Sequence, residues 1–363
     1  MLVLSPFPEE GAGTRFRVSQ YIPHLEANGF TVDVDAFFTP AFFRFVYRRG
    51  HLARKALGFA RLAARRLAAV AATGRYDLIF IYREAFPIGP PLVERFLRTR
   101  GPALVLDFDD AIYLPTASEA NRFITSLKYA QKMSTIIGLA DHVIVGNQYL
   151  RSYAHAYNAA VTMIPTCVDT NRFVPRTDRA SAPEPLTIGW IGSPTTAFYL
   201  SGIADALREV ARQHPFVLRV SGAGATPAFR GVTVREETWS LAREVELFNT
   251  CDIGVYPLRD DEWARGKCGF KAIQFMACGV AVVASPVGVN RDIIEDGVNG
   301  FLAGTREDWV RKIRLLLEDP ALRARFGAAG RRTIEQRYSL RVHAPRMAET
   351  LRGVTAARHE GRR

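Results

Sequence analysis

The sequence predicts an α/β protein built of two doubly wound domains in tandem, with a cleft between them. Three observations predict it. Short apolar runs alternate with longer helical patterns over nearly the whole chain, which is the sequence form of parallel sheets covered by helices. A polar, proline-bearing stretch from Pro175 to Pro185 lacks apolar periodicity and separates two such series. A length of 363 residues with 48% hydrophobic positions supplies two cores.

In the first series the strands are expected at Leu2–Ser5, Thr31–Ala36, Leu78–Tyr82, Ala103–Asp107, His142–Val145 and Val161–Ile164, a sheet of about six. Helices fit between them, at Arg17–Asn28, ended by Gly29 as a glycine C-cap, and at Ala120–Leu139. The second series places strands at Leu186–Ile191, Val217–Ser221, Val232–Arg235, Ile253–Tyr256 and Val280–Ala284. Its helices fall near Phe198–Gln213, Ser240–Asn249, Lys271–Cys278 and Glu307–Leu317. The expected boundaries are residues 1–175 for the first domain and 176–339 for the second. Residues 340–363 follow as a last helix, Leu340–Leu351, and a frayed basic tail. Doubly wound sheets bind ligands beyond the carboxyl ends of their strands, so motifs there carry the functional expectation.

Composition excludes several classes. Arg and Lys break every long apolar run, so a membrane-spanning helix is not expected. The start MLVLSPFPEEGAGTRF has neither the basic region nor the apolar core of a secretory signal, so the expected location is the cytoplasm. Cys167, Cys251, Cys268 and Cys278 form no CxxC pair and have no histidine at metal spacing, which fits buried free thiols and no structural metal. No helix-turn-helix, zinc-finger or RNP-like signature appears, and nucleic acid is not an expected partner. No Gly-x-Ser-x-Gly or Cys-His context supports a hydrolase triad.

A net charge of +12 is unevenly spread. From Ala41 to Arg75 there are nine basic residues (Arg44, Arg48, Arg49, Arg54, Lys55, Arg61, Arg65, Arg66, Arg75) and no acidic one. At 100° per residue Leu52, Ala56, Phe59, Ala63, Leu67 and Val70 share one face, with Arg54, Arg61 and Arg65 on another. Two readings stand: an ordinary surface helix burying its apolar face, or a contact of residues 41–75 with an anionic membrane surface, helped by Phe42, Phe43 and Phe45. The second would place the protein peripherally on the inner face of the cell membrane.

Four stretches carry chemistry. After the first strand comes a loop with Gly11 and Gly13, and Arg15 opens the next helix. Close backbone approach at Gly13 is assigned to an anionic ligand and Arg15 to a second substrate, although any strand-to-helix turn can carry two glycines. Asp107-Phe108-Asp109-Asp110 ends a strand, and Asp109 and Asp110 are favoured for contact with a metal or sugar hydroxyls over helix capping. Tyr82-Arg83-Glu84 ends another; Arg83 and Glu84 are candidates there, with a plain surface pair as the alternative for Glu84. Arg265, Lys267 and Lys271 precede or open a helix, where positive charge opposes the helix dipole and asks for an anion.

The stretch from Asp252 to Leu302 resembles the second-domain signature of the group 1 glycosyltransferases. The matching residues are Asp252–Pro257, Gly269-Phe270, Phe275–Gly279, Val280–Ser285, Gly288 and Ile293–Leu302. Gly189–Gly192, Ser221–Gly224 and Ile164–Phe173 agree with it, and the likeness is clear over about residues 140–340. The resemblance implies the GT-B fold, in which the second domain binds a nucleotide-diphosphate sugar and the first presents a glycan or lipid-linked acceptor. It implies transfer with retention, without metal or other cofactor, in bacterial surface polysaccharide or glycolipid synthesis. The donor contacts expected are Gly192, Ser193, Thr195, Trp239, Lys271, Gln274, Gly288, Val289 and Asn290; Arg265 and Lys267, which stand elsewhere than the family's usual basic pair, are expected on the leaving diphosphate because that group gathers negative charge as the bond breaks. The sequence also departs from the family. Two glutamates usually separated by seven residues are replaced by Gly266 and Gln274, and IGSPTTAFYL lacks the usual basic pair. Two alternatives stand: a noncatalytic nucleotide-sugar-binding partner of another transferase, motivated by Gly266 and Gln274, and a nucleotide-sugar epimerase or a phosphorylase, which can use the same two-domain cleft.

Overall fold

Strands of four to six residues with continuous apolar character have nowhere to sit but the middle of a sheet covered on both faces. Leu78–Tyr82 and Ala103–Phe108 are buried at every position. The computed structural model describes residues 1–46, 50–114, 131–177, 185–224 and 229–361. Within them the chain divides into two units, Met1–Thr166 with His343–Arg363, and Cys167–Val342.

The first unit holds one six-stranded sheet. Its strands are β1 (Leu2–Ser5), β2 (Asp33–Ala36), β3 (Leu78–Tyr82), β4 (Ala103–Phe108), β5 (His142–Val145) and β6 (Val161–Met163), ordered β2-β1-β3-β4-β5-β6. Every pairing is parallel, with Leu4 beside Ile81 and Ile81 beside Leu106, so all six carboxyl ends point the same way. The second unit repeats the plan with β7 (Leu186–Ile191), β8 (Phe216–Ser221), β9 (Thr233–Glu237), β10 (Ile253–Tyr256), β11 (Ala281–Ala284) and β12 (Phe301–Leu302), ordered β12-β11-β10-β7-β8-β9. The short β12 is absent from the sequence expectation because two residues give no periodicity. Its core joins Ile188, Leu218, Val255 and Val283 to Leu207, Trp309 and Ile313.

Four helix starts carry side-chain caps. Asn147, Asp261, Thr305 and Asp319 each accept a hydrogen bond from the backbone three residues on. The expected helix Arg17–Asn28 begins earlier and is broken: Ala12–Arg17 and Ile22–Ala27 flank a 3-10 turn, with Pro23 in the first turn of the second piece. Phe198–Gln213 is likewise split into Ala197–Ser201 and Ala204–Ala211 around Gly202. Of the expected helix Ala120–Leu139, residues 120–130 lie outside the described residues and Lys132–Leu139 is helical. Residues 178–184 of the expected linker also lie outside them.

Two expectations need correction. The basic tail is not frayed over its described part, because the last helix runs from Leu340 to Glu360. Its arginines explain why: Arg352 donates to Asn28 Oδ1, and Arg358 donates to the Gly101 carbonyl at 3.2 Å and pairs with Asp141. The helix Leu52–Ala71 buries only part of the expected face: Val70 is buried and Phe59 and Ala63 are half-buried, but Leu52, Ala56 and Leu67 are exposed. Leu62, Arg66 and Val70 are inward, while Leu52, Leu57 and Leu67 are 79%, 56% and 51% exposed. Arg66 sets this orientation. Fully buried, it pairs with Asp35 at 2.8 Å and donates to the carbonyls of Ser5, Asp35 and Ala85, tying together the ends of β1, β2 and β3. Burial pulls its pKa down to about 10 against the opposing pull of Asp35.

Candidate functional site

At the carboxyl end of the first sheet, β3 and β4 deliver a buried polar cluster. Asp109 accepts from Tyr82 Oη at 2.8 Å, from Arg83 at 3.2 Å and from Thr166 Oγ1 at 3.3 Å. Arg83 also pairs with Asp110, and its φ of 64° is a left-handed conformation that a non-glycine residue holds only under constraint. Burial raises carboxylate pKa values, but here the Arg83 and Arg17 charges and the Tyr82 hydroxyl outweigh it and hold Asp109 below its ordinary range. Asp109 is therefore an ionised acceptor of hydrogen bonds. Burial sends the Tyr82 phenol well above its usual value, so it stays a donor. Glu84 pairs with Lys132 at 2.8 Å. Arg15 is buried and donates to the Glu9 carbonyl at 2.6 Å, while Gly13 packs on Tyr82 so closely that a Cβ would lie 1.8 Å from its hydroxyl. Beneath this cluster Arg17 and Asp107 form an ion pair with no exposed surface.

The second sheet gathers most of the other candidates at its own carboxyl end. Gly192 follows β7 and donates to the Ser221 carbonyl at 3.1 Å; beyond it Ser193 and Thr195 share a hydrogen bond of 2.9 Å. Gly222 follows β8 and donates to Glu237 of β9, which brings Trp239 beside the same strand ends. The loops after β10 and β11 interlock. A Cβ on Gly288 (φ 51°) would come 3.0 Å from the Arg265 carbonyl oxygen, and one on Gly269 (φ 64°) would come 3.0 Å from Asn290 Oδ1 and 3.2 Å from Val289. The Arg265 backbone, Gly269 and Gly288–Asn290 thus form one structural knot, and Lys267 and Lys271 stand two residues to either side of Gly269. Ser285 anchors it, donating through its backbone to Tyr256 and accepting from the Asn290 amide at 3.0 Å.

The three cations there have different surroundings. Arg265 is half exposed and pairs with Asp260 at 2.7 Å. Lys267 sits over the Trp263 ring at 5.3 Å. Lys271 donates to Gln274 Oε1 at 2.8 Å and lies over the rings of Phe248 and Phe270. Gln274 in turn faces the buried Glu244 at 3.5 Å, and Arg172 pairs with Glu244 at 3.1 Å. Among the described residues no three His, Cys, Asp or Glu side chains are placed to hold a metal ion.

Residues 238–333, which contain this knot, match the family described as Glycosyl transferases group 1. The matched segment lies wholly within the second unit. Alpha-maltose-1-phosphate synthase of Mycobacterium tuberculosis is 32% identical over 96 residues, 24% of this chain and 25% of that protein. D-inositol 3-phosphate glycosyltransferase of Segniliparus rotundus is 24% identical over 225 residues, 54% of this chain and 48% of that protein. The chain spans at most 48% of the length of these curated relatives. Two solved structures are similar over almost their full lengths. Sucrose-phosphate synthase from Thermosynechococcus elongatus superposes with a TM-score of 0.68 at 18% identity, covering 98% of this chain and 99% of that one. HepE of Anabaena, solved with UDP-glucose, gives 0.67 at 16% identity, covering 97% and 98%. The fold is that of the GT-B glycosyltransferases.

Against the glutamate pair that the resemblance implies, Gln274 is the most informative departure. Sequence reasoning found Gln274 but missed Glu244 and Arg172, which lie 30 and 102 positions away along the chain and come to it only through folding. The amide is matched to its neighbours, accepting from a lysine and offering its NH2 to a carboxylate. Gln274→Glu is therefore expected to destabilise the protein. It would set two carboxylates face to face in a buried place and raise the pKa of one above its unfolded value, so stability is kept at low pH and lost as pH rises through the raised value. Thermal melts at pH 5 and pH 8 should differ by about 1–3 kcal/mol more than in the wild type; equal differences would mean that Lys271 absorbs the new charge.

Proposed function

We propose that this protein moves a sugar from a nucleotide-diphosphate donor to a glycan or lipid-linked acceptor, with retention of anomeric configuration, in bacterial surface polysaccharide or glycolipid synthesis. The observation that carries the reading is the cationic knot of Arg265, Lys267 and Lys271 with Gly288–Asn290, at the carboxyl end of a parallel sheet and inside the segment that matches the family. As the glycosidic bond breaks, its electrons leave with the diphosphate, and fixed positive groups stabilise that charge. The acceptor oxygen attacks on the same face of the sugar and passes its proton to the departing phosphate oxygen. No protein base is required. Gly192, Ser193 and Thr195 supply backbone and hydroxyl groups beside the donor, and Trp239 offers a surface to the base. The first unit's Arg83, Asp109 and Asp110 meet the acceptor or sugar hydroxyls, with the ionised Asp109 accepting from them. The reading assigns no metal or other cofactor, and it includes a contact of residues 41–75 with an anionic membrane. That HepE was solved with UDP-glucose supports a nucleotide sugar as donor.

A second reading rests on Gly266 and Gln274, which stand where the family usually has glutamates: a protein that binds the donor without turning it over. One experiment separates the two. UDP, GDP, dTDP and ADP sugars are screened by thermal shift and then by nucleotide release with membrane-derived acceptors, the wild type beside Lys267→Ala and Arg265→Ala. One donor should raise the melting temperature and release nucleotide, with release reduced in both variants. Binding without release would establish the second reading, and no shift from any donor would remove the first.

A further inference from the structure

We propose that the outward face of the helix Leu52–Ala71 is a docking surface for an anionic lipid bilayer, with Leu57 and Leu67 entering the acyl boundary and Arg54 and Arg61 at headgroup level. The proposal deepens the membrane part of the reading above and is independent of its catalytic part. At 100° per residue Ala53, Leu57, Ala60, Ala64, Leu67 and Ala68 fall within about 100° of arc, and Arg61, Arg54 and Arg65 occupy roughly the next 40°. All nine are exposed. A solvated helix face ordinarily carries charges of both signs in stabilising pairs three or four residues apart. Here most of the face is apolar and its border purely basic, since no acidic residue occurs from Ala41 to Arg75.

The interior cannot take this face, because Arg66 has already fixed Phe59, Leu62 and Val70 inward. Nor do the phenylalanines ahead of the helix supply the insertion. Phe42 is packed on Phe38 and Phe45, and Phe43 on Phe7. The exposed leucines remain. Arg65 is drawn aside to Asp35 at 3.1 Å and to the Phe37 carbonyl at 3.0 Å; Arg54 lies over the Phe45 ring at 4.9 Å but stays exposed, so it and Arg61 are the border's outward charges. A second copy of the chain is a poor occupant. Antiparallel pairing about a two-fold axis would set the arginine border against itself with no carboxylate to relieve it. An anionic bilayer satisfies both halves of the face, since its acyl boundary takes the leucines and its headgroups take the arginines.

The test is co-sedimentation of the full chain with phosphatidylcholine vesicles, with and without phosphatidylglycerol. Two double variants are compared with the wild type, Leu57→Glu with Leu67→Glu and Arg54→Gln with Arg61→Gln. The wild type should bind the anionic vesicles, the leucine variant should lose at least about tenfold in partitioning, and the arginine variant about fivefold per charge with its lipid preference flattened. All four side chains are exposed, so unchanged melting temperatures check that the variants fold. Absence of wild-type binding overturns the proposal. So does binding undiminished in the leucine variant, which would reduce it to attraction by net charge. Dimerisation by analytical ultracentrifugation that disappears in the leucine variant would overturn it in favour of a second copy. Failure of every donor in the nucleotide-sugar screen would leave the vesicle result standing.

Discussion

Lys271→Met is expected to lower the rate of nucleotide release by about 10²–10³-fold, the usual loss when one preorganised charge at a developing anion is removed. The side chain is half-buried, donates to Gln274 and lies over two phenylalanine rings, so its position is set before any ligand arrives. Its charge stands in the first turn of the helix Phe270–Ala277, against the dipole, a placement that an approaching diphosphate makes favourable. Methionine keeps the length of the stem and its contact with the rings but leaves the buried Gln274 Oε1 without its donor, so stability should fall by about 1–3 kcal/mol while the folded protein turns over far more slowly. Single-turnover nucleotide release with the donor found by thermal shift is the measurement. A rate within threefold of the wild type would remove Lys271 from the reaction and leave the task to Lys267 and Arg265.

The largest effect on stability is expected at Arg17. Its guanidinium donates to Asp107 through two nitrogens, at 2.9 Å for Nε, and to the Ile164 carbonyl at 2.7 Å, all without exposure. Burial pushes the Asp107 carboxyl up to about 6 even with Arg17 beside it, and Asp107 in turn keeps the arginine protonated well above its ordinary range against the opposing effect of burial. Arg17→Met strands a buried carboxylate and should cost about 3–5 kcal/mol, which is roughly 10 °C in the melting temperature of a unit this size. The pH dependence follows from the sign of the shift. A carboxyl with a raised folded pKa is neutral in the folded state up to that value and costs stability as pH rises through it, and removing Arg17 raises it further. The gap between variant and wild type should therefore widen above about pH 6. Adding Asp107→Leu should recover much of the loss, because a buried pair replaced by apolar groups is often neutral. A gap equal at pH 5 and pH 8 would mean that Asp107 is not what the arginine serves.

Continuous apolar runs made the sheets legible in the sequence: five of the six strands of the second unit and all six of the first lie where runs such as Leu78–Tyr82 and Ile253–Tyr256 predict them. Helices were less legible wherever a single residue redirected the chain, as at Val18 and Gly202. The second unit's candidate site was readable because Arg265, Lys267, Lys271 and Gly288–Asn290 fall within 26 consecutive residues, close enough for one motif to carry them. Glu244 and Arg172 were not, since no local pattern marks a carboxylate that folding brings to an amide 30 positions away. Charge was the least legible property. Arg15, Arg17 and Arg66 count toward the net +12, yet each is 2% exposed or less, and a sequence count cannot separate arginines that face outward from those that bind carbonyls inside.

Arg66 has a further consequence. The helix Leu52–Ala71 carries two apolar stripes, one through Phe59, Leu62 and Val70 and one through Leu57, Ala64 and Leu67, and hydrophobicity alone gives little reason to bury the first and expose the second. A guanidinium seated on three carbonyls and one carboxylate works as a key in a slot: it fixes the roll of the helix about its own axis. Asp35, on the edge strand of the sheet, thereby decides which stripe the molecule shows to its surroundings.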